Sequence, residues 1–204
     1  FRPSGWPISN LTADADCIVA VGPRASDPHY APEGSGEIIE EGSILLIDLW
    51  GRPDPGQVFG DQTWMGSLGS ELSDEVDEIW TVVRDARDAV LEFLERSYEE
   101  GREVRGREAD DVARKLVSER GFGEYFVHRT GHSIDTELHG SGPNLDNLET
   151  RDERVLVPGV GFSVEPGVYV PGRLGVRSEV NVHWGDDGPE VTPAEPQQEI
   201  FLLR

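Results

Sequence analysis

Four acidic residues sit inside runs that otherwise read as buried β-strand, and this placement constrains the fold more than any other feature of the chain. Asp48 lies in Ile44-Leu45-Leu46-Ile47-Asp48-Leu49-Trp50, and Asp61 in Val58-Phe59-Gly60-Asp61-Gln62-Thr63-Trp64. Glu165 lies within Phe162 to Val170, and Glu179 within Val176 to His183. A carboxylate withdrawn from water into an apolar strand is costly unless something positive meets it, and aspartate is disfavoured in strand interiors. The strands carrying these acids must therefore converge on positive charge. Three of the five histidines, His128, His132 and His139, cluster in the segment between the two pairs of acids. Carboxylate oxygens with an imidazole suit Mn, Co, Zn or Fe at a two-metal site, not a structural zinc. Two divalent ions also balance four carboxylates, which without metal would repel one another and push some pKa values up.

Taken in order, residues 1–16 are polar and turn-rich, with Pro3, Gly5 and Pro7. Cys17 to Val21 reads as a short buried strand ended by Gly22-Pro23, and His29 follows in a loop. The Asp48 and Asp61 runs form a hairpin by pattern, joined by a Pro/Gly-rich connection from Gly51 to Gly56. Ser73-Asp74-Glu75 is a helix start, with a capping hydroxyl followed by acids in the first turn. Val76, Ile79, Trp80, Val83, Ala86, Val90 and Leu94 then recur at helical spacing, predicting a helix over 73–99 with its charged residues on a solvated face. A shorter helix carries Ala109, Val112, Ala113, Leu116 and Val117 on one side and stops at Gly121.

Gly123 to His139 is expected to form a strand, a turn and another strand, and 140–154 a loop. From Val176 to His183 the alternation predicts one continuous strand. Val176, Ser178, Val180 and Val182 face one way, and Arg177, Glu179, Asn181 and His183 the other. The position of this polar stripe after Glu165 favours an active-site wall over a solvent face. A last strand is expected over 199–203. Each half of the chain offers a strand, a loop histidine and a hairpin bearing two acids, a weak internal symmetry.

At 204 residues the chain is expected to form one domain with a full core. A net charge of −22 argues against nucleic acid and anionic membranes as partners. Cys17 is the only cysteine, so neither an internal disulfide nor a thiolate metal cluster is expected. No apolar run approaches membrane-spanning length and no signal peptide is visible, which leads to the expectation of a soluble, cytoplasmic protein. The first residue is Phe1, not Met, so residues ahead of it are expected to be missing.

The order Asp48, Asp61, Gly131-His132, Glu165-Pro166-Gly167 and Arg177-Ser178-Glu179 resembles the pita-bread metallopeptidases: methionine aminopeptidase, Xaa-Pro aminopeptidase, prolidase and creatinase. The resemblance implies an α+β fold, a curved antiparallel sheet backed by helices, over a catalytic domain spanning 1–204 that lacks the first helix pair. It implies that Asp48 and Asp61 bind one metal, with Asp61 bridging. His132 binds the other beside Glu165, and Glu179 bridges. In two-metal hydrolases the ions sit roughly 3.5–4 Å apart, share a bridging hydroxide and polarise the scissile carbonyl. Glu165 would be the base that activates this water, and His139 would steady the gem-diolate. His29 would lie near the substrate amine or leaving group, and His128 would help hold the substrate. Arg177 would pair with a metal-ligand acid.

Gly-Val-Arg177-Ser-Glu179 and Glu165-Pro-Gly-Val-Tyr169 resemble the proline-cleaving branch, Xaa-Pro aminopeptidase and prolidase. That branch implies a short proline-containing peptide as substrate and a homodimer. Three features depart from the family pattern: Trp50 in place of Gly, Asp135 in place of Gly, and Gly140 in place of Glu. All three bear on the substrate pocket and none on a ligand. A creatinase-like C–N hydrolase, or a non-catalytic pita-bread module that binds a partner, remain alternative readings.

Overall fold

The computed structural model describes residues 14–32 and 38–204, so the turn-rich opening over 1–13 lies outside the described residues. Strand β1 (Asp16–Val21) runs antiparallel to β2 (Ile44–Gly51), which runs antiparallel to β3 (Gly60–Leu68). Val58 and Phe59 lie outside the ladder, so the second strand of the expected hairpin starts two residues late. Strand β10 (Phe201–Leu203) closes this sheet by pairing parallel to β3.

Two helices follow β3. Helix α1 (Asp74–Glu99) begins where its sequence requires: the Ser73 hydroxyl accepts a hydrogen bond from the Val76 N–H, and Asp74, Glu75 and Asp77 occupy the first turn. Such caps are worth about 1 kcal/mol. All seven apolar positions expected on its inner face are buried. Fully burying each large one contributes roughly 1.5–3 kcal/mol. The charged residues are not all solvated, however, because Arg87 is completely buried. Helix α2 (Gly106–Glu119) buries Ala109, Ala113 and Val117 as expected, and also Asp110.

The second half forms the sheet β4-β5-β8-β9, antiparallel throughout, from β4 (Ser133–Ile134), β5 (Val160–Val164), β8 (Val180–Gly185) and β9 (Gly188–Thr192). A separate hairpin of β6 (Gly167–Val170) and β7 (Leu174–Arg177) interrupts it. The order β4-β5-β8 repeats β1-β2-β3, in keeping with the symmetry suggested by the sequence.

Several expectations need correction, and the run over 17–21, expected to be a buried strand, is buried only at Ala20. Gly123 to His139 holds a 3-10 turn (Gly123–Tyr125), irregular backbone and, after His132, only the two-residue strand β4. Its backbone groups are satisfied partly by side chains and partly by single backbone contacts, among them an antiparallel bridge from Gly131 to Leu145. Arg114 donates to the carbonyls of Phe126 (3.0 Å) and His128 (2.8 Å), and Asp110 accepts from the Thr130 N–H (2.9 Å) and hydroxyl (2.7 Å). The run Val176–His183 is two strands, broken at Ser178-Glu179, because β7 pairs with β6 while β8 pairs with β5. Strand β9 was not anticipated, although Asp187-Gly188 after a strand is a hairpin signal. Among the described residues, no helix is long and apolar enough to cross a membrane.

Candidate metal centre and substrate cavity

The β2–β3 register sets Asp48 opposite Thr63 and Trp50 opposite Asp61, so these four side chains share one face and the two aspartates are diagonal neighbours. Glu165 follows the last residue of β5 and Glu179 precedes the first of β8, so both glutamates sit at strand breaks. His132 directly precedes β4. A two-point bond joins the halves: the Asp61 N–H donates to Asn181 Oδ1 (2.9 Å), and Asn181 Nδ2 donates to the Asp61 carbonyl (2.6 Å).

Two glycines make the assembly possible. A Cβ on Gly131 would collide with the Ser163 carbonyl, so only glycine lets the His132 segment lie against β5. A Cβ on Gly175 would collide with the Ala25 carbonyl, so glycine admits the 3-10 turn Gly22–Ser26 against β7 and brings in the loop carrying His29.

All nine residues singled out from the sequence line a single cavity of about 350 Å³: His29, Asp48, Asp61, His128, His132, His139, Glu165, Arg177 and Glu179. Asp61, His132, Glu165, Arg177 and Glu179 are buried, and His139 is exposed with its ring centroid 4.3 Å from that of His132. Arg177 organises the acids. Its Nη2 lies 2.6 Å from Asp48 Oδ2 and its Nη1 3.9 Å from Glu165 Oε2, while its Nε donates to Thr63 Oγ1 (2.7 Å). The Thr63 hydroxyl in turn donates to Glu179 Oε2 at 2.7 Å.

The electrostatics are those of a site short of positive charge. Burial drives the Glu179 pKa well above the usual carboxylate value, and the charges of Asp61 and Glu165 add to the rise. Glu165 and Asp48 are raised by burial as well, against the opposing pull of His132 and Arg177 on Glu165 and of Arg177 on Asp48. Burial acts to lower His132, but its hydrogen bond to Asp61 and the charge of Glu165 outweigh it and raise its pKa.

The residues present fit divalent metal. Donor atoms of Asp61, His132 and Glu179 all lie within 4.8 Å of one another. Asp61 Oδ1 and Glu179 Oε1 are buried without a hydrogen-bond partner, an arrangement that is expensive unless a cation takes up the lone pairs. His132 Nδ1 sits 3.0 Å from the Ser133 carbonyl, which assigns the proton to Nδ1. Nε2 faces Asp61 Oδ2 and Glu165 Oε1, each at 3.4 Å, a position where either a proton on Nε2 or a cation must lie among the donors. Glu165 is further held by the Ser163 hydroxyl, which donates to Oε1 at 3.0 Å.

His128 differs from the other histidines. Its Nδ1 lies 2.6 Å from the Arg129 carbonyl and its Nε2 2.8 Å from the Tyr169 hydroxyl, so both ring nitrogens are engaged. Burial first, and the charge of Arg177 second, lower its pKa to about 3. His128 is therefore neutral at physiological pH, accepting at Nε2 from Tyr169. We expect its ring NMR signals to remain those of a neutral imidazole from pH 8 down to about pH 5, and titration near the ordinary histidine value would contradict this arrangement.

Sequence reasoning missed Thr63 and the clamping role of Asn181. Thr63 stands two residues from Asp61 on one face of β3, and Asn181 two residues from Glu179, and that spacing was the available signal. His183, the last member of the polar stripe, points away to an exposed position 3.6 Å from Glu190.

Comparison with known proteins agrees with this geometry. The model of metallopeptidase family M24 matches residues 9–185. The chain is 36% identical over 171 residues to the probable dipeptidase PepE of Mycobacterium tuberculosis, covering 84% of this chain and 42% of that protein. Among solved structures, the Xaa-Pro dipeptidase from Bacillus anthracis matches with a TM-score of 0.80 at 35% identity, over 96% of this chain and 51% of that one. The X-Pro aminopeptidase from Thermotoga maritima matches with a TM-score of 0.78 at 33% identity, over 92% and 49%. The chain thus spans about half the length, or somewhat less, of the relatives it matches. Its α+β architecture is the pita-bread fold of these neighbours. With the acids, the histidine and the strand breaks that carry them accounted for, the chain belongs to metallopeptidase family M24.

Proposed function

We propose that the chain carries the site of a two-metal peptidase that hydrolyses a peptide bond next to proline, as a prolidase or an Xaa-Pro aminopeptidase. The observation that carries this reading is the convergence of all nine expected residues on one cavity. The names of the relatives, dipeptidase, Xaa-Pro dipeptidase and X-Pro aminopeptidase, support the substrate class.

Asp48, Asp61, His132, Glu165 and Glu179 would hold two divalent ions (Mn, Co, Zn or Fe), which when bound supply a reactive water at neutral pH and polarise the scissile carbonyl. The protein residues do the rest. Glu165 takes the proton of the attacking water on a carboxylate oxygen and returns it to the leaving amine. Arg177 fixes Asp48 and, through Thr63, Glu179, so the ligand oxygens keep their directions as charge shifts. His139 at the mouth has its pKa lowered, by burial and then by His132, and as a neutral N–H donor it stabilises the oxygen that gains negative charge. His29, on the facing loop, lies toward the amine or leaving group, and His128, held from behind by Tyr169, forms part of the wall against which the substrate packs.

His139→Ala protein is expected to retain both ions and a near-normal KM while kcat falls about 10²–10³-fold, measured by metal analysis and steady-state kinetics. The substrate class is tested by cleavage of Xaa-Pro dipeptides and Xaa-Pro-Yaa tripeptides with Mn, Co or Zn added in turn. Dipeptide cleavage alone identifies prolidase-type action, and tripeptide cleavage an aminopeptidase. Protein loaded with two ions that cleaves neither contradicts the proline reading, and a creatine substrate in the same panel tests the C–N hydrolase alternative.

A further inference from the structure

Arg87 is completely buried within α1, a helix whose charged residues otherwise have access to water, and the chemistry proposed above makes no use of it. Burying a guanidinium is costly, so its contacts define its purpose. Its Nε donates to Asp88 Oδ1 (2.8 Å), and its Nη1 donates to Ser178 Oγ (2.7 Å) and to the Gln197 carbonyl (2.7 Å). Ser178 is the residue between Arg177 and Glu179, at the break separating β7 from β8. Its own N–H donates to the Pro166 carbonyl (3.3 Å), at the other break, beside Glu165. Gln197 brackets β3: Oε1 accepts from the Met65 N–H (2.8 Å), and Nε2 donates to the Met65 carbonyl (2.7 Å). One guanidinium therefore ties together the two glutamate-bearing breaks and, through Gln197, the strand carrying Asp61 and Thr63.

We propose that Arg87 is a positioning residue that sets the directions of Glu165 and Glu179 by holding Ser178, and so sets the affinity of the site for divalent metal. The inference rests on the metal-centre reading. A guanidinium suits the task because its planar fork holds two acceptors in fixed relation, which the single ammonium of lysine does not. If Arg87 were only core filling, removing the Ser178 hydroxyl would change packing slightly and leave the glutamates where they are.

The test is titration of metal-depleted protein with Mn²⁺, alongside thermal unfolding of the metal-free form, for wild type, Ser178→Ala and Arg87→Lys. Ser178→Ala is expected to unfold within a few degrees of wild type yet bind Mn²⁺ about 10-fold more weakly, the scale of effect seen when a partner that orients a ligand is lost. Arg87→Lys is expected to weaken binding at least as much, and the double variant little beyond that, because both changes break one connection. Ser178→Ala protein that binds Mn²⁺ as wild type does overturns the inference while leaving the metal centre standing. Wild-type protein that binds no Mn²⁺ overturns the metal centre, and this inference with it. Ser178→Ala decides the matter even if Arg87→Lys fails to fold.

Discussion

Glu179→Ala protein is expected to bind fewer divalent ions than wild type and to lose peptide hydrolysis by about 10³-fold or more, with Asp61→Ala behaving alike. Each side chain has one buried oxygen with no partner in the protein, Glu179 Oε1 and Asp61 Oδ1, and each residue offers a donor atom within 4.8 Å of those of the other and of His132. Loss of a metal that polarises the carbonyl and activates water removes several kcal/mol of transition-state stabilisation, and about 4 kcal/mol corresponds to that factor. The same residue should show the opposite sign in stability. Burial and the charges of Asp61 and Glu165 disfavour ionised Glu179 in the metal-free fold, so metal-free Glu179→Gln, neutral and of equal size, should unfold at a higher temperature than metal-free wild type. Calorimetry with metal analysis reads both effects. Metal-replete Asp61→Ala or Glu179→Ala protein with wild-type rates would refute the site.

The second large effect is that of the metal on stability. Ions at 1,000 times their dissociation constant stabilise the native state by about 4 kcal/mol each, and in a chain of this size each kcal/mol moves Tm by roughly 2–4 °C. Chelation should therefore lower Tm by about 10 °C or more. The pH dependence follows from the raised carboxyls of Asp48, Glu165 and Glu179. A carboxyl whose folded pKa exceeds its unfolded value binds more protons in the native state between the two values, so its contribution to stability declines as pH rises through that window. His132, also raised, acts in the same direction. Metal replaces those protons, so the Tm gain on adding Mn²⁺ should be small near pH 5 and large near pH 8. A gain independent of pH would place the ions away from these carboxyls.

The sequence made the candidate ligands legible because charge in an apolar strand is an energetic anomaly, visible without a structure. Asp48, Asp61, Glu165 and Glu179 stood out for that reason, and α1 was equally plain in the spacing of Val76 to Leu94. Thr63 and Asn181 escaped because a neutral hydroxyl or amide in a strand is no anomaly, and its importance comes from a partner more than a hundred residues away. The strand breaks at Glu165-Pro166 and Ser178-Glu179 escaped because Val164, Val168, Val176 and Val180 are buried on either side of them, so the apolar pattern runs on unbroken. Arg87 was hidden among the charges of a long helix, where spacing alone does not separate a buried guanidinium from a solvated one. The segment before His132 reads as strand from the run Tyr125-Phe126-Val127, but only Phe126 of these is buried, and Arg114 of α2 takes the carbonyls of Phe126 and His128 that a ladder would use.

The most direct measurement is a titration of metal-depleted protein with Mn²⁺, counting bound ions per chain while following release of proline from an Xaa-Pro dipeptide. The expected result is no release without metal, and release that rises as occupancy approaches two ions per chain. Proline release by metal-free protein, or saturation at two ions per chain with no release, would contradict the assignment of this cavity as a two-metal peptidase site.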